Sequence, residues 1–186
     1  MQDQFPGYEP GTYTIDPAHS TVTFTVRHMM VTKVRGEMEG VEGTIVLGER
    51  PEDSTVEASI DPTTISTHNA DRDAHLRSPD FFATDEHPTW TFRSTGVRQD
   101  GDDLVVDGDL QMRGVTKPVS LALEFGGFVT DPSGGKRVGA SARTRVKRTD
   151  FGINWNAALE TGGVVVSDDV DVELEISAVS DAPANA

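Results

Sequence analysis

A chain of 186 residues suits one domain able to bury a full core without cross-links. It has no cysteine, which excludes a disulfide framework, a thiol nucleophile and a thiolate metal site. Lys plus Arg is 16 and Asp plus Glu is 31, a formal charge of −15, so long-range repulsion disfavours nucleic acid and anionic membrane surfaces as main partners.

The start, Met1 to Pro10, has neither the basic run nor the apolar core of a secretory signal. No stretch reaches the roughly 18 apolar residues of a membrane span. A soluble, cytoplasmic protein with no integral membrane segment is therefore expected. Residues 1–11 and 180–186 read as flexible, polar and Pro- or Ala-rich tails around a single domain at 12–179.

Strands are expected near 12–16, 20–30, 37–47, 54–61, 88–98, 103–113, 117–130, 137–148 and 169–179. In the second of these, Val22, Phe24, Val26 and His28 fall on one side, with Met30 beyond, and Thr21, Thr23, Thr25 and Arg27 on the other. The same alternation recurs at Val56, Ala58, Ile60; at Trp90, Phe92; at Leu104, Val106, Gly108, Leu110, Met112; at Val119, Leu121, Leu123, Phe125; and at Val170, Val172, Leu174, Ile176. Turn chemistry at 49–53, 99–103 and 131–135 points to antiparallel order.

One short helix is expected over 69–78. Thr67 or Asn69 can cap it, Asp73 and Arg77 form an i,i+4 pair, Pro79 stops it, and Phe81 and Phe82 anchor it over one end of the sheet. The opposite end would then be the entrance. The loop 149–167 is unusually apolar, with Phe151, Ile153, Trp155, Ala157, Ala158 and Leu159, and it ends in Gly162 and Gly163. With so little helix to cover it, the sheet must bury its apolar face against itself, as a closed barrel or a sandwich.

Chemistry is harder to find. Nucleophile-elbow and phosphate-loop patterns are absent. His68, His75 and His87 lie near Asp71 and Asp73, but no His-x-His or His-x-x-x-His spacing supports a metal, and local hydrogen bonds are favoured. Arg143, Arg145 and Lys147 share one face of their strand, and Asp169, Asp171, Glu173 and Glu175 one face of the last, as cross-strand pairs would. His28 reads as a satisfied core residue or as a polar contact at a cavity rim. No catalytic residue, metal or cofactor is expected.

Tyr13-x-x-Asp16-x-x-His19-Ser20-x-Val22-x-Phe24 resembles the opening of the YceI-like family. Arg72-Asp73-x-His75-Leu76-Arg77-Ser78-x-Asp80-Phe81-Phe82 is similar to that family's most distinctive stretch. Met112-Arg113-Gly114-Val115-Thr116-Lys117-Pro118 and Arg148-x-Asp150-Phe151-Gly152 follow in the same order. The resemblance implies an all-β, lipocalin-like antiparallel barrel of about eight strands, with one short helix closing an end. It also implies a binding protein rather than an enzyme, holding a polyprenyl or isoprenoid-quinone lipid as carrier, store or sequestering protein.

The expected lipid-binding pore comprises Val22, Phe24, Val26, His28, Met30, Trp90, Phe92, Leu110, Met112, Leu121, Leu123, Phe125, Ala140, Ala142, Phe151 and Trp155, with small Gly108, Ala140 and Ala142 leaving room. Nine residues at roughly 3.3 Å, tilted near 40°, make a pore about 23 Å deep, which suits a long tail. An enzyme acting on such a lipid, or a filled barrel serving as an interaction module, are the alternatives. A second copy of the chain stays open as a partner.

Overall fold

The computed structural model describes residues 5, 7–101, 103–130, 135–158 and 163–180. Its strands are β1 (Gly11–Ile15), β2 (Thr21–His28), β3 (Thr32–Met38), β4 (Val41–Leu47), β5 (Thr55–Ile60), β6 (Trp90–Asp100), β7 (Asp103–Met112), β8 (Val115–Thr130), β9 (Lys136–Lys147) and β10 (Asp169–Ser180). The helix α1 spans Ala70–Arg77.

These ten segments make eight strands. β1 and β2 are two halves of one strand, broken by a single 3-10 turn at Pro17–His19. β3 and β4 are the two halves of its return, broken at Gly40, whose φ is 72°. β2 pairs with β3 and β1 with β4, both antiparallel. β4 then pairs with β5, and β5 through β10 follow in sequence order. β10 returns to pair with both β1 and β2, which closes the barrel.

The return strand β3 is absent from the sequence reading, which runs one strand through 20–30 and starts the next at 37. Two local features hide it. The turn is made by Met29 and Met30, both at positive φ, where the usual signal is Asn-Gly. Gly36 then interrupts the apolar alternation. A side chain at Gly36 would collide with the ring of its cross-strand partner Phe24.

Two register shifts, between Ser94 and Gly96 in β6 and between Phe125 and Gly127 in β8, reverse which parity faces inward. Val97 and Phe128 thereby join the inner face at one end. On the outer face the expected pairs form: Asp169 lies opposite Lys147, Asp171 opposite Arg145 and Glu173 opposite Arg143, with Arg145 Nε 2.6 Å from Asp171.

The helix begins where Asn69 accepts a hydrogen bond from the Arg72 N–H at 2.9 Å. The expected Asp73–Arg77 pair does not form. Asp73 is buried and accepts from the N–H and hydroxyl of Thr67, at 2.8 and 2.5 Å, while Arg77 donates to the carbonyls of Thr63 and Ile65. A buried carboxylate satisfies the nearest orphan donors before reaching for a more distant cation. Phe81 and Phe82 are buried, as their anchoring role requires.

The N-terminal tail expected over 1–11 is not free where the structure describes it. Phe5 is buried, its ring edge-on to Phe125 with centroids 5.3 Å apart. The Tyr8 hydroxyl donates to the Gly48 carbonyl at 2.7 Å, and its ring stacks edge-on against Phe128 at 5.9 Å. A short, Pro-containing segment hides this packing because its two rings carry no periodicity. Of the C-terminal tail expected over 180–186, Ser180 instead ends β10 opposite Tyr13, and 181–186 lie outside the described residues, as do 131–134, Leu159 and Gly162.

Candidate functional site: an apolar cavity inside the barrel

The barrel encloses a cavity of about 370 Å³. That lies within the roughly 300–1,000 Å³ of small-molecule sites. On β2, Val22, Phe24, Val26 and His28 face it; on β6, Trp90 and Phe92; on β7, Leu110 and Met112; on β8, Leu121 and Leu123; on β9, Ala140 and Ala142. Trp155 reaches it from the long loop. Thirteen of the residues named from sequence therefore share one wall, because inward parity is fixed by the alternation.

Three do not. Met30 stands on the turn past the end of β2, 57% exposed, and does not line the cavity. Phe125 faces an adjoining, smaller cavity of about 110 Å³ at the far end, with Phe5 and Tyr8; Val106, Leu123 and Ala140 lie in the walls of both. Phe151 is buried within the single turn Arg148–Phe151 and packs in the core beside the cavity, without lining it. Gly108 leaves no void either: a Cβ there would overlap the Phe92 ring, which fills the space itself.

The sequence reading misses two sources of wall. One is the return strand, with Val34, Met38, Val41 and Ile45. The other is the segment that covers the barrel end: Arg72, His75 and Leu76 on one face of α1, then Phe81 and Phe82. Their i, i+3, i+4 spacing carries the signal. The alternation at Val56, Ala58 and Ile60 and at Val170, Val172, Leu174 and Ile176 also marks wall residues.

The polar groups gather at the end that carries α1. Arg27 and Arg72 are exposed and line the cavity, so it meets solvent here, beside the helix. The opposite end, expected as the entrance, is lined by Phe5 and Tyr8. Arg72 is held by Thr67: its Nε donates to the hydroxyl at 2.7 Å and its Nη2 to the carbonyl at 2.8 Å. His75 bonds Asp80 at 2.9 Å and packs edge-on against Phe81 and Trp155. His68 sits 3.9 Å from Glu37. No group of three or more His, Asp or Glu suited to a metal occurs among the described residues.

Arg148 builds the floor of this end. It is buried, and burial pushes its guanidinium below the ordinary value while Asp168 at 2.9 Å opposes the shift. Its donors reach the carbonyls of Ile153, Trp155, Val166 and Ser167 as well as Asp168. Five N–H groups meet five acceptors, so this arginine shapes the loop and offers nothing to a ligand. Arg113 clamps the same end from outside, donating to Gly152 and Pro79 carbonyls at 2.6 and 2.7 Å. In the wall itself, the buried Trp90 Nε1–H has no hydrogen-bond partner in the protein, and its ring stands at 86° to Phe82.

The family model described as the YceI-like domain matches residues 13–178. The chain belongs to the YceI-like family. Protein YceI of Escherichia coli is 38% identical over 170 residues, covering 90% of this chain and 86% of that protein. A UPF0312 protein of Staphylococcus aureus is 39% identical over 164 residues, covering 87% and 93%.

Among solved structures, Burkholderia cenocepacia BcnA superposes with a TM-score of 0.73 at 16% identity, covering 88% of this chain and 98% of that one. The Campylobacter jejuni YCEI protein gives 0.70 at 24% identity, covering 84% and 90%. A polyisoprenoid binding domain from Saccharophagus degradans, implicated in plant cell wall breakdown, gives 0.68 at 17% identity, covering 92% and 99%. The YceI-like barrel is thus the fold of this chain, and the motif around Arg72 is the part that builds its polar end.

Proposed function

We propose that this YceI-like protein binds one long apolar lipid of the isoprenoid type, a polyprenyl or an isoprenoid quinone, inside the barrel, and acts as its carrier, store or sequestering protein. The cavity carries this reading: it is enclosed by aliphatic and aromatic side chains along its length and is polar at one end only. Each CH₂ buried from water contributes roughly 0.8 kcal/mol, so a tail alone supplies affinity. The structural neighbour whose name is a polyisoprenoid binding domain lends support through its barrel. Binding is favoured over catalysis because the most buried charge in the wall, Arg148, has its donors committed to the loop.

Native mass spectrometry of freshly purified protein, followed by solvent extraction, tests the reading. A co-purifying prenyl lipid, or stoichiometric uptake of added geranylgeraniol, is the expected result. Protein that is empty and takes up no geranylgeraniol would refute it.

A further inference from the structure

We propose that the tip of the β2–β3 hairpin is a docking element for a lipid bilayer. Six large apolar residues are exposed among the described residues, and four of them lie together. Met29, Met30 and Val31, at 45%, 57% and 80% exposure, form the tip. Val164 joins them, because the Met29 N–H donates to the Val165 carbonyl at 2.8 Å. Single exposed apolar residues are ordinary, but a cluster marks an interaction site. The turn does not explain the choice of residue. Met29 and Met30 have φ of 51° and 59°, positions where Asn and Gly are preferred.

Charge identifies the partner. No acid occurs between Asp16 and Glu37, while Arg27, Lys33 and Arg35 all do. Arg27 and Lys33 lie directly opposite each other across the hairpin. Like charges in that position are destabilising. Neither has an ion-pair partner among the described residues. Of the carboxylates on neighbouring segments, Asp168 is paired with Arg148 at 2.9 Å, Asp171 with Arg145 at 2.6 Å and Glu173 with Arg35 at 3.3 Å, while Asp169 lies opposite Lys147. Apolar side chains at a tip, with cations two residues behind, match the depth profile of a bilayer surface carrying anionic headgroups. The overall charge of −15 does not cancel this, since it is screened within about 8 Å at physiological salt.

The tip also adjoins the cavity. His28, the last residue of β2, lines the cavity and directly precedes Met29. A tail leaving the bilayer beside the tip reaches the barrel interior without crossing bulk water. That delivery step rests on the lipid-binding reading above; the docking itself does not.

Flotation of the full chain with vesicles tests the proposal. Binding is expected to vesicles containing one-third phosphatidylglycerol, weaker to pure phosphatidylcholine, and reduced by salt. Met30→Ser/Val31→Ser should lower it at least about tenfold. Lys33→Glu should lower binding to the anionic vesicles on the order of thirtyfold, two charge units being changed at the surface. Uptake of geranylgeraniol from detergent should be unchanged in Met30→Ser/Val31→Ser, while uptake from vesicles slows. No flotation of the wild type, or equal flotation of Met30→Ser/Val31→Ser, would overturn the proposal. So would concentration-dependent self-association that the same variant abolishes, because the tip would then be a contact between copies. Failure to take up geranylgeraniol from detergent would instead count against the lipid-binding reading, leaving the flotation result to stand.

Discussion

The hydroxyl of Ser20 holds both backbone groups of Ser177: it donates to the carbonyl at 3.2 Å and accepts from the N–H at 3.0 Å. Ser177 lies on β10 beside the break at Pro17–His19, where the Asp16 N–H still donates to its carbonyl at 2.8 Å but its own N–H meets the Ser20 hydroxyl instead of a backbone carbonyl. A fully buried side chain stands in for the missing backbone. Ser20→Ala should leave the Ser177 N–H without an acceptor and destabilise the barrel by about 1–3 kcal/mol. Urea unfolding should show a lower midpoint at an unchanged slope.

Asp16 ties the same break to β9. It accepts from Arg137 at 2.8 Å and lies 2.7 Å from the His19 ring, and first Arg137, then His19, hold its carboxyl below the ordinary carboxylate range. A carboxylate depressed in the folded state stabilises at pH above its unfolded value, about 3.9, and the contribution fades as pH falls through the folded value. The gap in Tm between wild type and Asp16→Asn should be constant from about pH 7 to 5 and close below about pH 4. A gap that stays constant to the lowest pH would sink this account.

Asp73 carries the start of the helical cover. With Asp73→Ala, the buried Thr67 N–H and hydroxyl lose their acceptor, so Thr67, which holds Arg72, is no longer fixed in place. Stability should fall by about 1–3 kcal/mol. Intact thermal stability with lost lipid uptake would instead assign Asp73 a direct role at the ligand.

Gly108 and Phe92 fill one space between them. Gly108→Ala forces the ring aside, at an overpacking cost of about 1–3 kcal/mol. Adding Phe92→Leu should recover the part due to the ring, while the close approach of the new Cβ to the Arg93 carbonyl remains. Strictly additive effects in the double variant would show that the two positions do not compete.

Ala142 is buried in the cavity wall, opposite Leu174 and Leu123. Ala142→Phe should leave a folded barrel, again at a cost of about 1–3 kcal/mol, while expelling a long-chain ligand. Unchanged geranylgeraniol uptake by that folded variant would place the ligand elsewhere.

Most of the wall is legible in the sequence because a strand fixes side by parity: Val22 to His28 and Leu110 to Met112 need no structure to be placed. Legibility stops where parity does. Met30 follows the inward residues in number but lies past the strand end. Phe125 keeps its parity but sits beyond the point where the cavity divides. Arg72 and His75 come from a helix whose docking against the barrel is set by Asn69, Thr67 and Asp73, a network of capping bonds rather than a hydrophobic pattern. The packing of Phe5 and Tyr8 depends on rings brought from β8, far away in sequence.

Those two N-terminal rings line the far end of the barrel, and an obstacle inside a tube measures length. A tail that enters beside α1 travels tip first, and its head stays with Arg72 and His28. Affinity should climb with each added isoprene unit until the tip meets the rings of Phe5 and Phe125, then level off as further units remain in water. The plateau is a ruler reading, and trimming Phe5 to Ala should lengthen the ruler.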